Sequence, residues 1–340
     1  MKRFVTVLLA LLLLCSVLPG QAATYQKFRH YFFGTFDTII TLLGYAENAE
    51  DFSRYAALTE SEMRRYHEIF DQYNPYDGVN NLYAVNAKAG QGPCAAEPEL
   101  ITLLAAIRGW HEQYGSVTNP AMGSVLRLWH DAREGGVSLP DDAALKKAAL
   151  HTNFADVMID EAAGTIEYLD PEMSLDLGAV AKGYAAQLTA DALREAGFDS
   201  FILNAGGNVI CGGAPLDGRD FWTVAIEDVD AVSTRHTIGA VNLCIVTSGD
   251  YQRYYEVDGV RYHHLIDPVT LYPASHIRSV SVLHPDSGLS DFLSTTAFVL
   301  PYEESRALIE SIPEAEAVWL MADGSEYWTD GFQKALDMVK

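Results

Sequence analysis

Apolar and polar positions change period many times along the chain, and each change predicts an element. From Phe36 to Tyr45 they alternate, as in a half-buried strand. From Ala49 to Tyr73 the spacing turns helical, with Phe52, Tyr55, Met63, Tyr66 and Phe70 on one face. A short helix follows the turn at 74–78, and Pro98–Tyr114 reads as a helix carrying Leu100, Leu103, Leu104, Ile107 and Trp110. Gly115–Trp129 reads as loop and then helix. Asp141–Leu150 predicts a helix, leading into a hairpin of Phe154–Ile159 and Thr165–Leu169. Later strands are predicted at Phe201–Leu203, Phe221–Glu227, Val241–Thr247, Val280–Leu283 and Ala317–Met321, with a hairpin over Tyr251–Arg261. Helices are predicted at Ser290–Leu300, Tyr302–Ile312 and Phe332–Val339. Short, hairpin-linked antiparallel strands interspersed with helices give an α+β fold.

The stretch Ser174–Gly183, S-L-D-L-G-A-V-A-K-G, changes period within itself. Leu175 and Leu177 alternate with Ser174 and Asp176; beyond Gly178 the spacing becomes helical and runs to Gly197. A strand running through a glycine turn into a helix points unpaired N–H groups and the positive dipole end at a ligand, which suits phosphate. Lys182 adds a cation in the first turn, and Asp176 stands ready for a sugar hydroxyl or a base N–H. An ordinary strand–turn–helix with a solvated lysine accounts for the same stretch equally well.

Composition narrows the function classes. Of 340 residues 49% are hydrophobic, enough for one large or two closely joined units, and 46 acidic against 23 basic residues give a net charge of −23. That charge argues against nucleic-acid binding and requires local cations or metal wherever an anionic substrate is held. Lys2 and Arg3, the apolar run Val5–Leu14 and small Ala22 and Ala23 read as a signal peptide over 1–23, leaving 24–340 as the mature domain. The expected location is therefore extracytoplasmic, with Cys15 leaving a membrane tether open. Cys94, Cys211 and Cys244 lack zinc-site spacing and read as buried or incidental.

Three further groups are candidates for chemistry. Asp291 and Thr295 share a helix face, and a carboxylate with a hydroxyl so placed are hard oxygen ligands of the kind Mg²⁺ accepts. His264 is a candidate acid or base, with Asp267 near enough in sequence to orient it. Gly206 and Gly207 in N-A-G-G-N form either an anion-binding nest or a plain tight turn. No G-x-S-x-G, H-E-x-x-H or Walker lysine motif occurs, so a covalent protein nucleophile is not indicated.

Taken in order, F-G-T at Phe33, Tyr73 with N-P-Y-D-G-V, T-N-P-A-M-G-S-V-L-R-L-W, D-L-G-A-V-A-K-G-Y, L-N-A-G-G-N-V, T-S-G-D-Y, H-L-I-D-P and D-F-L-S-T resemble the ApbE-type FAD:protein FMN transferases over nearly the whole mature chain. The resemblance implies an ApbE (T-fold-like) architecture. It also implies Mg²⁺-dependent transfer of FMN from FAD to a threonine or serine of an exported or membrane-associated acceptor protein, releasing AMP. Hydrolysis of FAD, or flavin binding without catalysis, is the alternative. It further implies Mg²⁺ on the Ala179 carbonyl, Asp291 and Thr295; FAD contacts from Tyr73, Val117, Thr118, Asn119, Asp176, Lys182 and Ile266; and His264 as proton acceptor from the target hydroxyl. The chain departs from the family pattern in three places. Phe33 replaces a methionine, Asn119 and Ala121 replace the carboxylate and hydroxyl of F-D-P-T, and Val269-Thr270-Leu271 replaces [RK]-T-G.

Overall fold

The computed structural model describes residues 24–136, 138–230 and 232–340; the signal-peptide expectation and Cys15 lie outside them. An eight-stranded antiparallel sheet forms the centre, in the order β1 (Gln26–Thr35), β2 (Thr38–Ala46), β6 (Phe201–Ala205), β7 (Asn208–Cys211), β10 (Leu243–Gly249), β13 (Ile277–His284), β14 (Glu316–Met321) and β15 (Glu326–Trp328). No barrel closes, since β1 and β15 remain as edges. Smaller sheets join β3 (Cys94–Ala95), β5 (Thr165–Tyr168) and β4 (Val157–Asp160), β8 (Trp222–Glu227) with β9 (Thr234–Ala240), and β11 (Tyr254–Val257) with β12 (Val260–His263). The α+β expectation holds.

One face of the large sheet carries the main core. Ile40, Leu42, Leu203, Ile210 and Val280 point into it and meet α1 (Ala49–Phe70), α6 (Ala181–Glu195) and α7 (Ser287–Val299), with α3 (Pro98–Tyr114) behind them. The helix α3 matches its predicted bounds, because Pro98 opens it at the first turn and its apolar positions keep one period. The other face is covered by the β8–β9 hairpin and α9 (Asp330–Asp337) around Trp222, Ile245 and Phe332. Cys211 belongs to this second cluster and Cys244 to the first; both are buried, and all three described cysteines are free thiols. A third cluster joins α4 (Gly123–Gly135) and α5 (Asp142–Ala148) to the β11–β12 hairpin. The remaining helices are α2 (Leu82–Asn86) and α8 (Tyr302–Ser311). Among the described residues no helix is long and apolar enough to cross a membrane.

Two sequence expectations fail instructively. The burial of Ser174–Leu177 alternates, yet the segment joins no ladder. Its backbone is satisfied outside any sheet instead: Asp176 N–H donates to the Pro120 carbonyl at 2.8 Å, and Leu175 N–H donates to the side chain of Asn86 at 2.9 Å. Phe36 does not begin a strand. With Asp37 it forms the turn between β1 and β2, both at positive φ.

Candidate functional site

A cleft opens between the N-terminal end of α6 and the third cluster, and Ala179, Lys182, Asp291 and Thr295 all line it. Gly183 is what lets α6 and α7 come so close. A Cβ there would collide with the Ser287 carbonyl and stand 2.5 Å from Asp291 Cβ. Gly183 N–H, which a continued helix would give to the Ala179 carbonyl, donates instead to Asp291 Oδ2 at 2.7 Å. Among the described residues the Ala179 carbonyl receives no backbone hydrogen bond. Asp291 is 4% exposed, and burial raises its carboxyl pKa, while Lys182 and the Gly183 N–H pull it down. Lys182 Nζ stands 4.0 Å from Asp291 Oδ2 and its side chain is 20% exposed, so it is not a solvated lysine.

The helix end offers fewer free donors than its sequence predicts. Val180 and Ala181 both donate to the Leu177 carbonyl, and Gly178 N–H is taken by Asp176 Oδ1 at 2.7 Å. Cationic character here comes from the Lys182 side chain more than from bare N–H groups. Asp176 Oδ2 also accepts from Gln72 Nε2 at 2.6 Å, which fixes the carboxylate at the cleft wall.

His264 lines the same cleft, but Asp267 does not orient it. Asp267 Oδ1 accepts from Val269 N–H at 2.7 Å and caps its own turn. The Arg253 carbonyl stands 3.3 Å from His264 Nδ1, which fits the Nδ1–H tautomer and leaves Nε2 as the basic nitrogen. Burial first, then the positive charge of Arg253, coupling to the neighbouring His263 and the charge of Lys182, pushes the imidazole pKa down to about 3. The ring is neutral at physiological pH.

The other wall is aromatic. Trp129 stacks on Tyr262 with centroids 5.9 Å apart, meets Tyr272 edge-on, and donates Nε1–H to the Leu271 carbonyl at 2.9 Å. Leu271, where the family pattern has glycine, takes φ +64° and is buried against this wall. Val269 is 87% exposed, and the cations lining the cleft besides Lys182 are Arg133 and Arg253.

Tyr73, Val117, Thr118, Asn119, Asp176, Gly206 and Ile266 line the cleft as well. Tyr73 stacks on His130 at 5.0 Å, and the buried Thr118 hydroxyl bonds Thr296 Oγ1 at 2.7 Å, tying its loop to α7. The Asn119 side chain is already occupied, accepting from Ala121 N–H and donating to the Thr152 carbonyl. Phe33 and Gly207 are not among the lining residues. Phe33 is 57% exposed on β1, and Gly206 and Gly207 make the tight β6–β7 turn, a Cβ at Gly206 colliding with Thr38. The aromatic wall, Gln72 and Arg253 were not anticipated. Only the adjacency of Arg253 to T-S-G-D-Y hinted at it.

Residues 34–319 match the model of the ApbE family. The chain is 36% identical over 257 residues to the FAD:protein FMN transferase of Treponema pallidum (strain Nichols), covering 71% of each chain. To one of Klebsiella pneumoniae (strain 342) it is 32% identical over 270 residues, covering 77% of this chain and 82% of that one. Among solved structures, the ApbE protein of Thermotoga maritima MSB8 superposes with a TM-score of 0.82 at 25% identity, covering 92% of this chain and 99% of that one. The flavin transferase ApbE of Vibrio cholerae, at 23% identity, shares the fold with a TM-score of 0.77 over 92% of this chain and all of its own.

Proposed function

The chain belongs to the ApbE family, and from that premise we propose that it moves FMN from FAD to a threonine or serine hydroxyl of an acceptor protein, with Mg²⁺, releasing AMP. The observation that carries this reading is the diverted Gly183 N–H. It seats one Asp291 oxygen and leaves the Ala179 carbonyl free, with Thr295 one helical turn away on the same cleft. A carboxylate, a carbonyl and a hydroxyl are hard oxygen donors, the kind that would hold Mg²⁺. Among the described residues no three His, Cys, Asp or Glu side chains gather as a metal site, so the proposed ion would rest on one carboxylate and two neutral oxygens. Bound there, Mg²⁺ would supply charge neutralisation at the pyrophosphate.

The chain's own groups do the rest. Lys182 offsets phosphate charge that an acidic protein would otherwise repel. Trp129 and Tyr262 offer the flavin ring an apolar wall, and Asp176, held by Gln72, faces polar groups of the ligand. His264 Nε2 accepts the proton of the acceptor hydroxyl as its oxygen bonds the FMN-side phosphorus and the bond to AMP breaks. No protein nucleophile is required. Export remains part of the proposal, resting on the Lys2–Ala23 pattern; N-terminal sequencing of secreted material should read from near Ala23, and an uncleaved cytoplasmic chain would contradict it.

The deciding experiment incubates the protein with FAD, Mg²⁺ and a flavin-acceptor domain. Flavin fluorescence on the acceptor band in a denaturing gel supports transfer. FMN and AMP in solution alone mean hydrolysis, and unchanged FAD means a binding protein.

A further inference from the structure

The β1–β2 hairpin lies outside the cleft lining yet is fastened to it. Phe36 and Asp37 both adopt left-handed backbone, φ +52° and +51°, in a two-residue turn that usually selects Asn and Gly. A bulky phenylalanine there is a backbone outlier, and such strain persists only where surroundings fix it. Three contacts do so. Phe36 N–H reaches His67 Nδ1 at 3.4 Å, its ring meets the His67 ring edge-on, and its carbonyl accepts from Arg253 of the cleft at 3.2 Å. Thr38, the next strand's first residue, abuts Gly206 of the cleft. The hairpin tip is therefore built to hold a fixed position at the cleft mouth.

The outward face leading to that tip has an unusual composition. Lys27, Arg29, Tyr31 and Phe33 alternate on the exposed side of β1, Tyr31 packing edge-on to Phe33 with centroids 6.0 Å apart. Ile39 on the return strand is exposed as well. The cover over this face of the sheet gathers around Tyr45, Trp222 and Phe332, at the opposite end of the hairpin. Neither Lys27 nor Arg29 makes an ion pair among the described residues, although acidic residues outnumber basic ones 46 to 23 in the chain. A cationic strip ending in an aromatic pad, beside a cleft that must admit a polypeptide hydroxyl, complements an acidic chain.

Resting on the transferase reading, we propose that this face of β1 docks the acceptor polypeptide, engaging an acidic patch remote from its acceptor hydroxyl, since Arg29 stands seven strand residues or roughly 24 Å from Phe36, and directing that hydroxyl past the Phe36 turn into the cleft. The test compares the parent with Lys27→Glu/Arg29→Glu, two exposed changes outside the cleft. The probes are a folded flavin-acceptor domain with an acidic patch roughly 25–30 Å from its acceptor threonine, and its counterpart with those residues changed to glutamine. The expected result is a rise of about tenfold or more in KM for the acidic acceptor, a small change for the glutamine one, and unchanged FAD affinity by fluorescence. Equal KM in parent and variant, or equal losses with both acceptors, overturns the docking proposal while leaving transfer intact. If the parent binds FAD and acceptor but transfers nothing, the transferase reading falls. Docking is then decided by calorimetric affinity for the two acceptors, and equal affinity in parent and variant overturns it. A parent that binds neither acceptor overturns both, and a parent dimer that the double change dissociates assigns the face to a second copy and overturns docking.

Discussion

Gly183 donates its N–H to the Asp291 carboxylate at 2.7 Å, and the bond that seats this carboxylate is also the one that releases the Ala179 carbonyl. Two elements far apart in sequence are locked at a distance that only a missing side chain permits.

Gly183→Ala tests that lock. The added methyl must displace the Ser287 backbone or Asp291, so α6 and α7 separate. Overpacking of this kind costs about 1–3 kcal/mol. Urea denaturation should register the loss, and the proposed Mg²⁺-dependent transfer should fall further than stability alone explains. An alanine variant with parental stability and rate would mean that the helices tolerate separation.

Asp291→Asn separates charge from shape, since the amide oxygen can still accept from Gly183. Burial raises the Asp291 carboxyl pKa, so the folded chain holds this proton more tightly than the unfolded one. Such a group favours folding below its unfolded pKa and disfavours it as pH rises through the folded value. The metal-free asparagine variant should then be more stable than the parent at neutral pH, the gap closing toward about pH 4. Denaturant melts at two pH values read this directly, and saturating Mg²⁺ should reverse the order while the variant transfers no FMN.

For His264 the shift runs the other way. With its pKa near 3 the imidazole is already a neutral base over the physiological range. A plot of kcat/KM against pH should therefore show no acid limb near the usual histidine value of about 6.5. A base with a pKa near 3 is weak, so His264→Gln should lower kcat by about 10²-fold, the low end of general base catalysis. A limb near 6.5 that vanishes in the glutamine variant would refute the burial argument.

Leu271 sets two local effects against each other. Its left-handed backbone costs about 1–2 kcal/mol, which glycine would relieve. Its side chain is buried against the Trp129 cluster, and removing a buried leucine costs about 2–5 kcal/mol. Leu271→Gly should thus destabilise, by up to about 4 kcal/mol, despite restoring the family's residue. A stabilised variant by thermal melting would show that strain dominates.

What the sequence revealed tracks how local each cause is. The helix α3 was legible to its ends because its proline start and its period lie within the segment itself. Asp291 and Thr295 were legible as a pair because helical spacing dictates a shared face. The strand read at Ser174–Leu177 was wrong because alternation reports alternate burial, and burial does not require a ladder partner. β1 and β9 escaped notice for the converse reason: aromatic and basic residues on an exposed strand face, and polar residues with a glycine in T-R-H-T-I-G-A, blur the period. The orienting partner of His264 is a main-chain carbonyl, an atom that every residue carries. A phosphate-facing and a solvated Lys182 fitted the sequence equally well because nothing in its own segment announces α7 packed beside it.

The order of strands in the large sheet also governs when the site comes into being. Ile40 pairs with Ala205, so β1 and β2 wait for most of the intervening chain before gaining their inner neighbour. Asp176, Lys182, His264 and Asp291 then meet across further long loops, whose closure must precede any reward in contacts. Folding should be slow for the chain's size, and the cleft should be among the last features to form. A ligand that recognises only the finished cleft will leave the refolding rate nearly unchanged and retard unfolding instead, so FAD would act on this protein as a brake on its opening.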